Sequence, residues 1–411
     1  MRLAIATRLA ILPLAALATP VLADPGLPDE AQVSAALDAY PAVEAAQQRV
    51  SAARSGARAR AASPHDFVIT GSYTRRTIDL EGDFDEFNAD LMRGIRLPGK
   101  ARLDREIGVH LVDAAENMAE DTRHQAALVL AQHWWDWLSA SGAARVDQQA
   151  VMNLETALAA VERRVELGDA APLEADQAEA ALGAARVRAA QSAGEANLAR
   201  TRLATHFPAL ALPEEAPDIP MPAVEPGELE RYSGLVVSNS HEIAAAEAQS
   251  RAYEASAARV RLDRVADPSV GIRVFSERGG AETGAGLVFS MPFGGSRRGA
   301  QADQAAAEAS AAMAEAQMAR FAVQETASAD LASAQFRIAA WERARESLRA
   351  QMAVLTRMRR GHQLGEIDLA DLLLAERMTH DAFSMEVDAR AEAQRAITQI
   401  RIDSHELWLR D

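Results

Sequence analysis

The chain of 411 residues contains no cysteine, and only 5% of its residues are aromatic. Without cysteine there can be no disulfide bond, no thiolate metal site and no acylated N-terminal cysteine. The sequence also lacks a nucleophile elbow, a phosphate-binding loop, a dinucleotide fingerprint and a zinc-protease motif. We therefore expect neither an enzyme nor a cofactor, and we expect no catalytic residue and no firmly defined metal site.

Basic residues are outnumbered by acidic ones, 43 against 59, which gives a formal net charge of −16. Nucleic acid is therefore not expected as a partner, because phosphate recognition requires patches of Lys and Arg. Such acidity is compatible with a surface that conducts cations. It is equally compatible with simple solubility, and charge alone does not decide between the two.

The first 23 residues have the composition of a secretory signal. Arg2 and Arg8 provide the basic start, an apolar segment follows, and small residues precede position 24. The alternative, a membrane anchor, is disfavoured because the apolar run is short and contains Pro13 and Pro20. We expect a cleavable signal peptide at residues 1–23 and export across an inner membrane.

Two segments of the chain are similar to each other: LGDAAPLEADQAE at 167–179 and LGEIDLADLLLAE at 364–376. Each follows a long proline-free stretch of strong helix formers, 101–166 and 299–362. At 1.5 Å per residue, each stretch predicts a helix of roughly 100 Å, longer than any compact domain needs. The glycine in each copy can adopt a left-handed helix cap, so each copy predicts a tight reversal between two helices.

Short segments of alternating side chains precede each long helix and predict strands at 67–77, 87–97, 269–277 and 284–293. Helical segments precede the strand pairs, at 29–62 and 241–265. A proline-rich stretch predicts an extended linker. We therefore divide the mature chain into a first repeat at 24–207, a linker at 208–240 and a second repeat at 241–411.

Neither repeat can close a sheet with two strands, and four strands alone would leave exposed edges. The backbone hydrogen bonds of these edges are satisfied if the strands of several chains join into a closed barrel in a bilayer. The long helical hairpins likewise need neighbouring copies to cover their sides.

The segments IRLPGKAR at 95–102 and FSMPFGGSRR at 289–298, together with the two reversals, resemble markers of the TolC-like outer-membrane efflux family. The resemblance covers residues 30–408 and is greatest to the heavy-metal (RND-type) branch. It implies a mainly α fold with a small β part, in which duplicated long helical hairpins form a periplasmic α-barrel tunnel. It also implies a homotrimer, whose chains each contribute four strands to a 12-stranded transmembrane β-barrel.

The resemblance implies an outer-membrane exit duct that passively conducts metal cations or small toxic compounds. Its partners would be outer-membrane lipid, a periplasmic adaptor (membrane-fusion) protein and an inner-membrane transporter. One alternative is the exit duct of a type I protein-secretion system. Another is a soluble periplasmic coiled-coil adaptor or scaffold, which would not need strands compatible with lipid.

The resemblance also assigns candidate residues. The strand-to-helix junctions are Pro98, Gly99, Pro292, Gly294 and Gly295. The tips, expected to form the periplasmic gate and the adaptor-docking surface, contain Leu167, Gly168, Asp169, Leu173, Leu364, Gly365, Glu366, Asp368 and Leu372.

Carboxylates near the tips could attract cations around a narrow mouth. They are Asp169, Glu174, Asp176, Glu366, Asp368 and Asp371. The alternative is that acids at helix N-termini simply favour the helix dipole. We regard the two interpretations as balanced for Glu174, Asp368 and Asp371, and we favour a gate or docking role for Asp169 and Glu366.

Among the histidines, His124 and His133 lack the spacing of shared metal ligands, and only His362 near the tip acids suggests a weak ion site. We expect the tryptophans of the WWDW segment at 134–137 to pack between helices rather than form a binding platform. Four aromatic side chains in the strands are candidates for the lipid-facing or interfacial surface. They are Tyr73, Phe87, Phe275 and Phe289.

Overall fold

The computed structural model describes residues 25–409; the expected signal peptide lies outside them. The first repeat contains α1 (Glu30–Asp38), α2 (Pro41–Ala61), β1 (Phe67–Ile78), β2 (Gly82–Gly94), α3 (Lys100–Glu166) and α4 (Pro172–His206). The linker contains α5 (Glu228–Ser238), and the second repeat contains α6 (His241–Leu262), β3 (Ser269–Glu277), β4 (Glu282–Ser290), α7 (Ser296–Gln363) and α8 (Leu369–Asp403). None of the described helices has a stretch long and apolar enough to span a membrane.

Two long helical hairpins dominate the molecule, as the proline-free stretches predict. Helices α3 and α7 have 67 and 68 residues, which corresponds to about 100 Å each. Each packs along its shorter partner, α3 against α4 and α7 against α8, while α3 also contacts α8 and so joins the two hairpins. The expected fold class, mainly α with four strands, is confirmed.

The four strands form one antiparallel sheet in the order β1-β2-β3-β4. The two repeats meet at its centre, where Leu91 of β2 lies opposite Ile272 of β3. The sheet therefore unites the strand pairs of both repeats.

The second strand begins at Gly82 rather than at 87 and ends at Gly94 rather than at 97. The acidic segment before residue 87, which we expected to be a loop, pairs with β1 instead. Asp83 accepts hydrogen bonds from the Thr77 hydroxyl at 2.7 Å and from Arg75 at 3.0 Å. These cross-strand partners extend the hairpin into the charged segment.

The helix expected at 29–62 is divided into α1 and α2 by Ala39 and Tyr40. Pro41 occupies the first position of α2, where its missing N–H costs nothing. The expected linker at 208–240 also contains the helix α5. This helix begins after Gly227, whose φ of 81° is left-handed.

The largest apolar cluster lies at the middle of α3, under the proline-rich segment. Trp134, Trp135 and Trp137 are buried there, together with Phe207 and Ile219. The indole of Trp134 donates to the Gly26 carbonyl at 2.8 Å, and that of Trp135 to the Thr398 hydroxyl at 3.0 Å. The tryptophans thus pack between helices and fasten the connecting segments at this level.

Candidate functional sites

One face of the sheet has an uncovered apolar band across its middle. Its register places Ile69, Leu91, Ile272 and Leu287 side by side across all four strands. Ile69 is 78% exposed and Leu287 is 91% exposed. Tyr73, Phe87 and Phe289, expected to contact lipid, lie on this same face. A band of this kind is what a bilayer-facing surface requires.

The opposite face of the sheet is polar and holds paired charges. Asp90 accepts two hydrogen bonds from Arg273, at 2.7 and 2.9 Å, and Arg76 pairs with Glu86 at 2.6 Å. Phe275 belongs to this face, since it lies opposite Asn88, and is thus on the other side of the sheet from Tyr73, Phe87 and Phe289. Its ring covers Gly284, where a Cβ would lie 2.3 Å from the ring carbon Cζ.

Strands β1 and β4 have no partner on their outer edges within the described chain. They are 12 and 9 residues long. Long unprotected edges beside an apolar face are an aggregation hazard unless another chain pairs with them.

The first strand-to-helix junction encloses the chain's single lysine. Gly99 has a left-handed φ of 88° and directs Lys100, the first residue of α3, inward. Lys100 is 1% exposed, and its Nζ lies 2.8 Å from Asp263, from Asp267 and from the Val265 carbonyl. The ammonium thus ties the start of α3 to the segment between α6 and β3.

Asp267 is the centre of this junction. It also accepts from the Leu97 amide at 3.1 Å and pairs with His65 at 2.9 Å. Burial alone would raise the pKa of Asp267, but the hydrogen bonds from Lys100, His65 and Leu97 outweigh it and lower that pKa to about 2. The carboxylate therefore stays charged across the physiological range.

A second set of ion pairs surrounds the first. Asp104 pairs with Arg96 at 3.0 Å and with Arg259 at 2.8 Å, and Arg259 pairs with Asp263 at 2.6 Å. Sequence reasoning missed this network. The only signal was the presence of one lysine among 43 basic residues.

The second junction is built differently. Pro292, Gly294 and Gly295 are exposed, and a Cβ on either glycine would meet nothing within 4 Å. Gly294 has a φ of 145°. The two junctions therefore share sequence markers, but only the first has a buried ionic network.

Both hairpin tips end in the same hydrogen-bonded turn. In the first, Gly168 donates to the Val165 carbonyl at 3.0 Å and Asp169 to the Arg164 carbonyl at 2.8 Å. In the second, Gly365 donates to His362 at 3.0 Å and Glu366 to Gly361 at 2.9 Å. This is the Schellman motif, which requires a left-handed residue; the glycine φ angles are 78° and 75°.

The tip acids differ in what they do locally. Asp368 caps α8 by accepting from the Asp371 amide at 2.8 Å, and Glu174 receives the Ala171 amide at 3.4 Å at the start of α4. Both contacts stabilise a helix N-terminus, which is the alternative to attracting cations at the mouth. The other four acids are exposed: Asp169, Asp176, Glu366 and Asp371.

The tip leucines and His362 differ in their exposure and contacts. Leu167, Leu173 and Leu364 are exposed, whereas Leu372 is half-buried. His362 bonds to the Ile367 carbonyl and to Arg164. Among residues 25–409, no group of three or more His, Asp or Glu side chains is arranged to hold a metal ion.

Comparisons with known proteins agree with this architecture. Residues 33–206 match the family model "Outer membrane efflux protein". The outer membrane protein VceC from Vibrio cholerae is similar in structure over 91% of this chain and 95% of its own, with a TM-score of 0.74 and 17% identity. The family model thus matches the first repeat, and the chain shares the fold of this outer membrane protein over nearly its whole length.

Two further structures share this fold. A membrane protein from Pseudomonas aeruginosa is similar over 91% of this chain and 92% of its own, with a TM-score of 0.74 and 18% identity. The open state of the MtrE outer membrane channel from Neisseria gonorrhoeae is similar over 93% and 89%, with a TM-score of 0.70 and 17% identity. No curated protein sequence matches significantly.

The chain contains one more buried polar pair that the sequence did not reveal. Asp330 of α7 and Asp403 of α8 are 5% and 4% exposed; Asp330 accepts from Gln399 at 2.8 Å, and Asp403 contacts His124 at 2.7 Å. Burial, reinforced by the neighbouring Asp403, raises the pKa of Asp330 to about 8. His133 lies apart and contacts the tilted ring of His206, with ring centroids 4.7 Å apart.

Proposed function

We propose that the chain is one subunit of a homotrimeric exit duct in the outer membrane. The duct passively conducts a substrate delivered by an inner-membrane transporter and a periplasmic adaptor. The observation that carries the proposal is the uncovered apolar face of the sheet, which lies between two unpaired strand edges. Both features are unfavourable in water, and a closed barrel in lipid removes both.

In this arrangement, β4 of one chain pairs with β1 of the next. The face that contains Asp90, Arg273, Arg76 and Glu86 then lines the lumen, as polar side chains line membrane channels of this kind. The hairpins continue the duct by about 100 Å into the periplasm.

We further propose that the tips form the periplasmic gate and the adaptor-docking surface. Exposed leucines such as Leu167 and Leu364 offer an apolar contact surface, and the exposed acids would surround the mouth once in each of three subunits. A ring of carboxylates concentrates cations. This charge favours metal cations over other small toxic compounds as the substrate.

Membrane fractionation and gel electrophoresis test the duct. Expressed from its full sequence, the protein is expected in the outer-membrane fraction as an oligomer that dissociates only on heating, and to form channels in planar bilayers. A monodisperse monomer that is soluble without detergent would contradict the proposal and favour a soluble scaffold. Deletion of the gene, followed by tests of tolerance to metals, dyes and antibiotics, then identifies the substrate class.

A further inference from the structure

The two hairpin tips are similar in sequence but differ at the positions where they touch. At the constant spacing that aligns the repeats, Arg164 of the first tip corresponds to Gly361 of the second. Val165 likewise corresponds to His362, and Ala170 to Ile367. Both turns keep the same backbone geometry, so these differences are not needed to make the turns.

The residues that differ form a contact between the tips. Arg164 Nη1 lies 3.3 Å from Nε2 of His362. An apolar cluster of Val161, Ala178 and Leu369 adjoins it and contains residues of both hairpins. The Ile367 side chain packs on Gly361 and leaves no room for a larger residue there. A Cβ at position 361 would lie 2.6 Å from Ile367 Cδ1.

The hydrogen bonds fix the tautomer of the neutral His362 ring. Its Nδ1 lies 2.9 Å from the Ile367 carbonyl, which can only accept, so Nδ1 carries the proton. In the neutral ring, Nε2 is then an acceptor and receives the Arg164 guanidinium. Protonation of Nε2 removes this acceptor and places two cations against each other, while the bond to Ile367 within the second tip survives.

From this geometry we infer that His362 is a pH-dependent latch between the two hairpin tips, joined when the imidazole is neutral and released when it is protonated. The inference extends the proposed gate by assigning its regulation. The latch can release because Arg164 has other acceptors, the Asp169 carbonyl at 3.3 Å and Glu174 at 3.8 Å. Separation of the tips is thus favoured in an acidified periplasm.

Charged groups on the surrounding elements do not cancel this effect. On α3 and α4 they are Arg164 and Glu174, and Glu174 Oε2 lies 3.8 Å from the same Arg164 Nη1 that contacts His362. On α7 and α8, Arg359 pairs with Glu376 and Asp368 caps its own helix. None of these carboxylates pairs directly with the imidazole, and Glu174 is already engaged by Arg164, so a proton on Nε2 meets the Arg164 cation first.

The absence of cysteine allows a direct test in the intact protein. Glu166→Cys and Gln363→Cys place one spin label beside each tip, and co-assembly with excess unlabelled chain limits the signal to pairs within one chain. Double electron–electron resonance is measured in lipid at about pH 8 and about pH 5, on either side of the usual imidazole titration. We expect the main distance to lengthen on acidification, with about a tenfold change in the ratio of joined to separated tips.

Three background variants decide the interpretation. His362→Gln keeps a neutral acceptor for Arg164 and is expected to abolish the shift, and Arg164→Gln removes the repelling cation and is expected to do the same. His110→Gln, about 80 Å away along α3, is the matched control and is expected to retain the shift. An unchanged distance in the parent protein, or a shift that persists in His362→Gln, would overturn the latch.

The distance measurement does not depend on conduction, so it separates failure of the latch from failure of the duct. Bilayer currents recorded at the same two pH values form the second readout. If the latch controls the gate, acidification increases the current of the parent and of His110→Gln, but not that of His362→Gln. If the protein conducts but the current responds to pH in the same way in all these variants, the proposed duct stands and the latch is rejected.

Discussion

Exposed ion pairs such as Arg54–Glu116, with side chains 59% and 44% exposed, contribute little to stability because water and salt screen them. Buried polar side chains contribute far more to stability. If one member of a buried pair is removed, the other is left with neither water nor a partner around it. Lys100, Asp267 and Asp330 are the residues of this kind with the clearest physical consequences.

The first prediction concerns Lys100→Met, which keeps the length of the side chain and removes its charge. Asp267 is then left buried without its cation, so we expect a loss of about 3 kcal/mol in the free energy of unfolding. Thermal unfolding in detergent micelles, followed by circular dichroism, measures it. Arg54→Met is the control, with an expected loss below about 1 kcal/mol; equal losses in both variants would contradict the buried-network interpretation.

The second prediction concerns pH and the Asp330–Asp403 pair. Because the pKa of folded Asp330 is raised from 3.8 to about 8, its contribution to stability is complete below pH 3.8 and is lost as the pH rises to 8. Asp330→Asn stays neutral, so its stability relative to the parent should improve between about pH 5 and about pH 8. Midpoint temperatures at the two pH values test this, and parallel behaviour of both proteins would show that Asp330 does not titrate there.

At the scale of elements, the tips and the sheet show how little sequence is needed to fix a local structure. A glycine in the left-handed region ends each long helix, and alternation of side chains gives each strand two chemically distinct faces. In both cases the geometry follows from steric rules that act over a few residues.

The third prediction tests the turns. Gly168→Ala and Gly365→Ala meet no neighbouring atoms, so their only penalty is the left-handed backbone, about 1 kcal/mol. Gly183→Ala lies within α4, also in open space, and is expected to stabilise by up to about 1 kcal/mol. Amide hydrogen exchange near the tips should accelerate only in the first two variants; protection that is unchanged there would show that the turns tolerate alanine.

The fourth prediction tests the two faces of β4. Leu287→Lys places a charge on the apolar face and is expected to destabilise the lipid-inserted protein by about 2–4 kcal/mol. Val288→Lys changes the neighbouring residue on the polar face and should cost much less. Refolding from urea into lipid vesicles compares them, and equal penalties would mean that the sheet is not inserted with this face toward lipid.

At the scale of the whole molecule, one chain is incomplete. The sheet lacks partners at both edges, and its apolar face has no cover within the described chain. Large exposed apolar patches of this type indicate contact with another chain or with lipid. In the proposed duct, conduction and selectivity are properties of the assembly, to which each chain contributes one set of tips.

The fifth prediction concerns the charge at the mouth. Asp368→Asn removes a carboxylate but keeps a side chain that caps helices equally well, so α8 remains intact. We expect a lower cation selectivity and a lower single-channel cation current in planar bilayers. Glu308→Gln, an exposed change on α7 away from the tips, should leave both unchanged. Equal currents and selectivity in Asp368→Asn and the parent would remove Asp368 from the charge ring.

The long helices, the glycine reversals and the existence of four strands were predictable from local sequence, because they depend on proline, glycine and side-chain alternation over short distances. It placed Tyr73, Phe87, Phe275 and Phe289 in strands, and the register of the sheet then set Phe275 on the face opposite to the other three. The start of β2 was placed too late because the charged segment before residue 87 is held by cross-strand partners.

Which distant side chains come into contact could be seen only in the folded molecule. Lys100 and Asp267 are separated by 167 positions, Asp330 and Gln399 by 69, and Arg164 and His362 by 198. No local pattern encodes such contacts, because they arise when helices about 100 Å long pack side by side and bring remote turns to the same level. The repeat could predict two similar tips, but their asymmetry became meaningful only when the fold placed Arg164 against His362.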